Sequence, residues 1–594
     1  MKKSFKFLTV VLLSAGMVAC EGLKLGDGGL SKAPETSGAN VETLFATIQD
    51  ADKVLASAYY YLPYGLISPF DSKMGTDILE SITDHYISNR HTEGNGPNDL
   101  YYTGSLDAKN GGGSEAYRFG SEKDYSAIRY GWLFLENADK IKDASPAEIA
   151  RKKAEAKMCI AIAYANMFRY LGGVPLLDHA VQASEEMKYP RNTFAQTVDF
   201  IVNLCNEAAP DLPWSVSQVE DGRLTRAAAL GLKLRVLCFA ASPTFNSNEL
   251  WHKDADEYTC YTNYSADRWK AAKAAADEFM TEWKKNGYYA MVQATPDANG
   301  LITNRAYRLA YRKGYYNRGT TETIISTRKS NSSEYHSMTK YQSDFGNGAS
   351  LEYANKFGWE DGTDFPEDFD WENPSKAPFF ISDGTIPGIE TRDPRLYETL
   401  CVPGDVWNDG TVGRNYANHR YFQDNNPGFL IMKYILQRGS DRNVPQHWCL
   451  MRLPEILLNA AEAYNEADGA PSAQAYEWLN SVRARVGLCP VAEGMNKEQF
   501  RKALIHERDC EFGFEEFRWF DIVRWGLDDA LTTPLHGLRS IGNKDSEATQ
   551  FTFSVIDAYP SRQWWTKWDR KWFLTPIPAS EVNKGYGMTQ NPGW

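Results

Sequence analysis

Residues 452–463 read Arg452-Leu453-Pro454-Glu455-Ile456-Leu457-Leu458-Asn459-Ala460-Ala461-Glu462-Ala463. A proline this early suits a first helical turn, where its missing N–H has no intrahelical partner to lose. Leu453, Leu457, Ala460 and Tyr464 then fall on one apolar stripe of a helix. The polar turn Asp468-Gly469-Ala470-Pro471 stops it and leads into a second helical pattern with Ala475, Leu479, Val482 and Val486. Two helices joined by a short turn, with small residues at the crossing, form a tetratricopeptide-type pair. The assignment rests on the pairing and not on a strict repeat period.

The same pattern recurs upstream. Ala154, Met158, Ala161, Ala165 and Phe168 make one stripe, ended by Leu171-Gly172-Gly173-Val174-Pro175. A helix follows at about 194–209 and stops at Pro210, and a third starts near Thr225 and breaks at Ser242-Pro243. A fourth, rich in alanine, covers about 267–285. The expected fold class is mainly α, with tetratricopeptide-like helix pairs forming a scaffold, long irregular loop insertions and few short strands. The scaffold should occupy about 43–285 and 452–530 within one domain, 43–594. Residues 86–125 and 287–450 are rich in Gly, Asn, Asp and aromatic rings without a helical period, which reads as loop-rich ligand-binding insertions. Their aromatic density argues against disorder.

The beginning of the chain is different in kind. Lys2, Lys3 and Lys6 precede an apolar stretch from Phe7 to Ala19. That is short of the ~20 residues that span a bilayer but suits a secretory leader over residues 1–19. Met17-Val18-Ala19-Cys20 resembles a bacterial lipobox, which makes Cys20 the expected lipidated residue and 20–42, Gly-rich and polar, a flexible tether. The formal charge of -13 becomes -16 once the three leader lysines are lost. That balance, with no Lys/Arg-rich run, argues against a nucleic-acid partner. Eight further cysteines include no CxxC pair, and several sit in apolar helical patterns, as buried free thiols do.

Motifs of catalysis are missing: there is no GxSxG, GxGxxG, P-loop or HExxH. His506 and Cys510 are four apart on a helix, yet no further metal ligands lie near them in sequence. Asp364, Asp368, Asp370 and Glu372 have the chemistry to ligate calcium, but their spacing is not that of an EF-hand, and they read as a solvated acidic loop. No catalytic residue, no metal and no cofactor is expected. Glu507, Arg508, Glu511 and Arg518 alternate in charge at helical spacings, as scaffold ion pairs at i, i+4 would.

Several stretches taken in order resemble one family. Residues 452–463 match "RLPEIYLNAAEA" with one substitution, and Leu479-Asn480-Ser481-Val482-Arg483-Ala484-Arg485-Val486-Gly487-Leu488 is similar to "LNxVRxRAGL". Glu507-Arg508, Glu511-Phe512 and Arg518-Trp519-Phe520-Asp521-Ile522-Val523-Arg524-Trp525-Gly526 resemble "ERxxEFxxExxRWFDLxRWG", with Glu515-Glu516-Phe517 replacing the common Glu-Gly pair. Leu574-Thr575-Pro576-Ile577-Pro578 and Gln590-Asn591-Pro592-Gly593-Trp594 resemble "LxPIP…QNPGW". Leu171 to Leu176 and Arg392-Asp393-Pro394-Arg395-Leu396 also fit. The family is SusD/RagB, the surface glycan-binding lipoproteins. The resemblance implies a binding protein and no enzyme, anchored in the outer membrane and facing the exterior. It further implies capture of an oligosaccharide or polysaccharide for a TonB-dependent, SusC-like transporter. The same scaffold also serves peptide- or protein-binding, RagB-like lipoproteins, and a glycoside-active enzyme is the third reading.

Sugars present apolar C–H faces ringed by hydroxyls, so they are held by flat rings beside Asp, Asn and Arg. Ligand contacts in the family come from an early loop and from the insertion before the last helix pair. The corresponding windows run from Asp84-His85 through Asn95 and Asn98 to Tyr101-Tyr102, and from Tyr335 through Tyr341 to Trp359. Asp84, Tyr101, Tyr102, Tyr335, Tyr341 and Trp359 are the expected ligand-binding residues, and Trp359→Ala is expected to weaken binding without changing the melting temperature. Two or three stacks and several exposed hydrogen bonds, each ~1 kcal/mol, correspond to a Kd of roughly mM to tens of µM. Trp564, Trp565, Trp568 and Trp572 are read as core in preference to a transporter interface.

Overall fold

Most of the long helices start on a side chain that accepts the hydrogen bonds their first turn cannot make internally. Ser145 caps at Glu148 N with Pro146 just inside the helix, and Thr193 and Asn496 form full capping boxes with Gln196 and Gln499. The computed structural model describes residues 41–66, 79–87, 101–109, 123–182, 184–186, 188–328, 348–374, 378–379, 391–403, 427–434, 447–543, 550–557 and 567–594. Its main helices are α1 (Ile48–Tyr60), α2 (Asp124–Asn137), α3 (Pro146–Leu171), α4 (Phe194–Ala208), α5 (Arg226–Ala241), α6 (Ala266–Asn286) and α7 (Asn304–Tyr316). They continue with α8 (Leu351–Lys356), α9 (Pro394–Thr399), α10 (Leu453–Asp468), α11 (Ala473–Ala484), α12 (Lys497–Phe512) and α13 (Arg518–Trp525). Cys20 and the proposed leader and tether lie outside the described residues.

Each helix from α1 to α6 packs on the next, and α6 packs directly on α10, which carries α11 and α12. The fold is therefore a mainly α stack of helix pairs into which residues 287–450 are inserted. Strands are short and paired two by two. β1 (Tyr86–Ile87) pairs with β3 (Gly348–Ala349), β2 (Thr323–Thr327) with β6 (Trp448–Arg452), β4 (Leu400–Cys401) with β5 (Leu430–Ile431), and β7 (His536–Gly542) with β8 (Phe551–Asp557), all antiparallel. The helical stack has one large apolar core, and the insertion has its own, built mostly of rings such as Tyr311, Tyr353, Phe379 and Trp448. The eight cysteines after Cys20 are free, and all but Cys489 are buried.

The Leu171-Gly172-Gly173 turn shows why glycine is needed there. Gly172 has φ 77° and a Cβ on it would lie 2.7 Å from the Tyr258 carbonyl oxygen, while one on Gly173 would lie 2.1 Å from that of Asn192. Arg191 binds the same turn without any carboxylate: it donates to the carbonyls of Leu171 (2.8 Å), Gly173 (2.9 Å) and Thr589 (3.1 Å) and to Asn591 Oδ1 (2.8 Å).

The charges of α12 pair differently from the expected i, i+4 scheme. Glu511 accepts from Arg395, Arg452 and Arg485, and Glu507 from Arg395 (2.5 Å) and Arg483 (3.1 Å). Glu515 accepts from Arg452 (2.7 Å) and Lys433 (2.5 Å), and Glu322 from Arg485 (3.0 Å). Every one of these except Arg483 is essentially excluded from solvent. Glu322, Arg395 and Lys433 belong to the insertion and the others to the scaffold, so the network rivets one to the other. Buried pairs of this kind add little net stability but fix geometry, because any other arrangement strands a charge. Burial alone would raise the Glu511 carboxyl, and the surrounding Arg485, Arg452 and Arg395 guanidiniums instead hold it well below the usual carboxylate range.

Candidate binding site

The early loop and the late insertion meet. Besides the β1–β3 pair, Ser350 donates from its amide to His85 O (3.0 Å) and from its hydroxyl to Asp84 O (2.5 Å), and the His85 ring stacks on Tyr353 with centroids 3.9 Å apart. Asp84 takes both Arg518 Nε and Nη2 at 2.7 Å, and Arg518 Nη1 reaches Asp509 at 3.0 Å. Burial would raise the Asp84 carboxyl, but Arg518 overrides it and keeps it well below its ordinary range. Asp84 thus ties the early loop to α13 through a buried bidentate pair.

The ring-bearing residues of the two windows are packed inward. Tyr101 and Tyr102 are 2% and 0% exposed, inside the helical core, with the Tyr102 hydroxyl donating to Ser81 O. Trp359 is 6% exposed; its amide donates to Thr363 O (2.8 Å) and its ring lies near Phe365 (5.5 Å) and the Arg392 guanidinium (5.6 Å). In these positions the three rings show no open face, which corrects the picture of loop platforms: a large apolar ring with packing partners within reach gains more by burial than by exposure. Tyr335 and Tyr341 lie outside the described residues, as do Trp564 and Trp565. Trp572 is core and Trp568 packs beside it.

Arg392 organises the insertion. Its guanidinium donates to the carbonyls of Ala354 (2.7 Å) and Phe357 (Nε, 2.8 Å) at the C-terminus of α8 and sits 3.7 Å over the Phe365 ring. Burial pushes it down to about 9. From Phe365 the rings run on through Phe369 (4.8 Å) and Trp371 (5.7 Å), and from Trp371 to Phe379 (5.7 Å) and to Phe553 on β8 (5.6 Å). Most of this ladder is buried, but Phe369 and Phe551 are partly exposed. Around Phe369 the chain carries exposed Asp364, Glu367, Asp368, Asp370 and Glu372. Asp370 Oδ1 accepts from the amides of Glu372 and Asn373, both at 3.0 Å, as an Asx turn does. Among the described residues no group of three His, Cys, Asp or Glu is placed to hold a metal ion. His506 Nε2 and Cys510 Sγ meet the same acceptor, Lys356 O, at 2.7 and 3.4 Å.

The Phe365-to-Trp371 stretch is a candidate that the sequence windows stopped short of. Its signal is the alternation Phe365-Pro366-Glu367-Asp368-Phe369-Asp370-Trp371, rings and acids interleaved in a segment without helical period. Arranged on a ring stack, one partly exposed phenyl ring amid exposed carboxylates suits a ligand with both apolar faces and hydroxyls.

Residues 299–594 match the family model described as the SusD family. Among curated proteins, "SusD-like protein P2" of Formosa agariphila is 29% identical over 176 residues, which is 28% of this chain and 30% of that relative. "SusD-like protein P25" of the same organism is 35% identical over 81 residues, 13% of this chain and 15% of its own. The chain therefore aligns with less than a third of the length of these curated relatives. Among solved structures, a SusD-like protein from Bacteroides fragilis superposes with TM-score 0.70 at 21% identity, covering 95% of this chain and 100% of that one. A "SusD-like carbohydrate binding protein" from the same species superposes with TM-score 0.64 at 19% identity, covering 91% and 99%. At such identities the structures establish the fold alone. With its C-terminal half matched by the family model and its backbone shared along most of its length, the chain belongs to the SusD/RagB family.

Proposed function

We propose that this protein captures oligosaccharides at the cell surface without altering them and passes them to a TonB-dependent, SusC-like outer-membrane transporter, held in place by lipid on Cys20. The single observation that carries the reading is the ring ladder ending at half-exposed Phe369 within a fringe of exposed carboxylates. A phenyl face takes a sugar's C–H face and the carboxylates take its hydroxyls. The ladder behind it keeps the ring fixed, so little conformational freedom is lost on binding. The carbohydrate-binding relative from Bacteroides fragilis adds weight to glycans over peptides.

The test is a glycan array and a peptide library probed with the chain lacking residues 1–20. Oligosaccharide binding without release of new reducing ends is expected. Phe369→Ala should weaken that binding about fivefold, the equivalent of one ~1 kcal/mol stack, with the melting temperature lowered by no more than about 1–2 °C. Binding of peptides alone would replace this reading with the RagB-like one, and cleavage of the glycan would replace it with an enzyme.

A further inference from the structure

Between α3, α5, α10, α12 and α13 the scaffold leaves a partly open cavity of about 30 Å³ lined by four guanidiniums, Arg169, Arg235, Arg508 and Arg524, with only Glu455 and Asp521 as carboxylates. Three of the four are balanced. Arg235 takes both oxygens of Glu455 (2.6 and 2.5 Å), and Arg508 takes Asp521 Oδ2 and Asn459 Oδ1, each at 2.8 Å. Arg524 takes Asp521 Oδ1 (2.8 Å) and both oxygens of Glu462. Arg169 is left over. Among the described residues its one hydrogen bond goes to the neutral Asn166 Oδ1 (3.2 Å), its guanidinium lies 4.0 Å over the Phe520 ring, and no carboxylate comes within ion-pair distance. Glu455 and Glu516 act on it only at longer range. Burial, and next to it the charge of Arg235, push Arg169 down to about 10, so it is still a cation at neutral pH.

Arg169 and Arg235 together also line a second cavity, of about 20 Å³, whose other walls are chiefly apolar: Ile162, Leu232, Val236 and Ile325. Each space admits an occupant of about water size, and neither admits a sugar or an amino acid. An unbalanced, partly buried positive charge beside such narrow space is costly unless a counter-charge shares it. We propose that the scaffold binds a chloride-sized monovalent anion between Arg169 and Arg235, as a structural ion that completes the charge balance at the seam of α3 and α5.

Two measurements test this. Crystals grown in bromide should show one anomalous scatterer in the cavity beside Arg169. In melting experiments at constant ionic strength, replacing gluconate by chloride should raise the melting temperature of the wild type along a saturable curve, by ~1–2 °C. Arg169→Lys, which keeps the charge, should retain the response, and Arg169→Gln should lose it. Water in place of bromide, or an equal chloride response in Arg169→Gln, would overturn the proposal. Should Arg169→Gln not fold, the bromide map of the wild type decides alone.

Discussion

Glu511→Gln changes one buried atom's chemistry without changing shape, and its cost can be worked from the contacts around it. Glu511 is 0% exposed and accepts from three guanidiniums, those of Arg395, Arg452 and Arg485. The glutamine keeps a carbonyl acceptor but turns an NH₂ toward a guanidinium and leaves one buried positive charge unmatched. Breaking a buried pair in this way costs about 3–5 kcal/mol. A partial offset comes from Glu322, whose pKa is raised by burial and by the negative charge of Glu511. Removing that charge relieves Glu322, so a loss of about 3 kcal/mol is expected. Across a chain of this size, an unfolding entropy of ~2.1 cal/mol/K per residue turns that into a drop of about 2–3 °C. Urea unfolding of the two proteins at pH 7 and at lower pH is the assay. The folded Glu511 carboxyl lies below its unfolded value of 4.5, so its contribution is whole above that pH and fades as the pH falls toward the folded value. The gap between wild type and Glu511→Gln should therefore be constant from pH 7 to about 5 and then narrow. A gap under 1 kcal/mol at pH 7, or one that widens in acid, would refute the view that the network is poised around this carboxylate.

Three further outcomes follow from packing and burial. Trp359→Ala removes a ring 6% exposed and should cost about 3–5 kcal/mol by urea denaturation; an unchanged melting temperature would restore it as a surface platform. Gly231→Ala puts a Cβ 2.6 Å from Met451 Sδ and 2.9 Å from Ile456 Cδ1, where α5 approaches α10, and should lose about 1–3 kcal/mol in the same assay. Burial, then the charges of Arg328 and Arg318, push the His447 imidazole down to about 3. Because the unfolded histidine protonates near 6.5, stability should fall by about 1.4 kcal/mol per pH unit below that value. In His447→Gln the acid limb should be shallower by that amount, and parallel limbs would show the ring to be irrelevant.

The helices were legible because their signals are local. Stripes and stop residues such as Gly469 and Pro210 act within a few positions, and both lie where the sequence pattern puts them. The ion network was not legible as a network. Glu511 meets partners 26, 59 and 116 residues away, so helical spacing pointed to neighbours on α12 that it does not use. In loops the difficulty is of another kind. Without a period there is no inner or outer face to read, and Tyr101, Tyr102, Trp359 and Phe369 look alike in sequence. The first three are core and the fourth is partly exposed, a difference decided by which distant elements pack on each: the helical core on Tyr101 and Tyr102, and Phe365 and Arg392 on Trp359.

Arg191 reaches Asn591 across 400 residues of sequence. A ribosome finishes the first partner long before it makes the second. Two of the four acceptors of this guanidinium come from Thr589 and Asn591, and the other two from the turn that ends α3. One side chain thus ties the end of α3, the turn after it and the segment around residue 590 to one another, so a substitution at any of the three is felt by the other two.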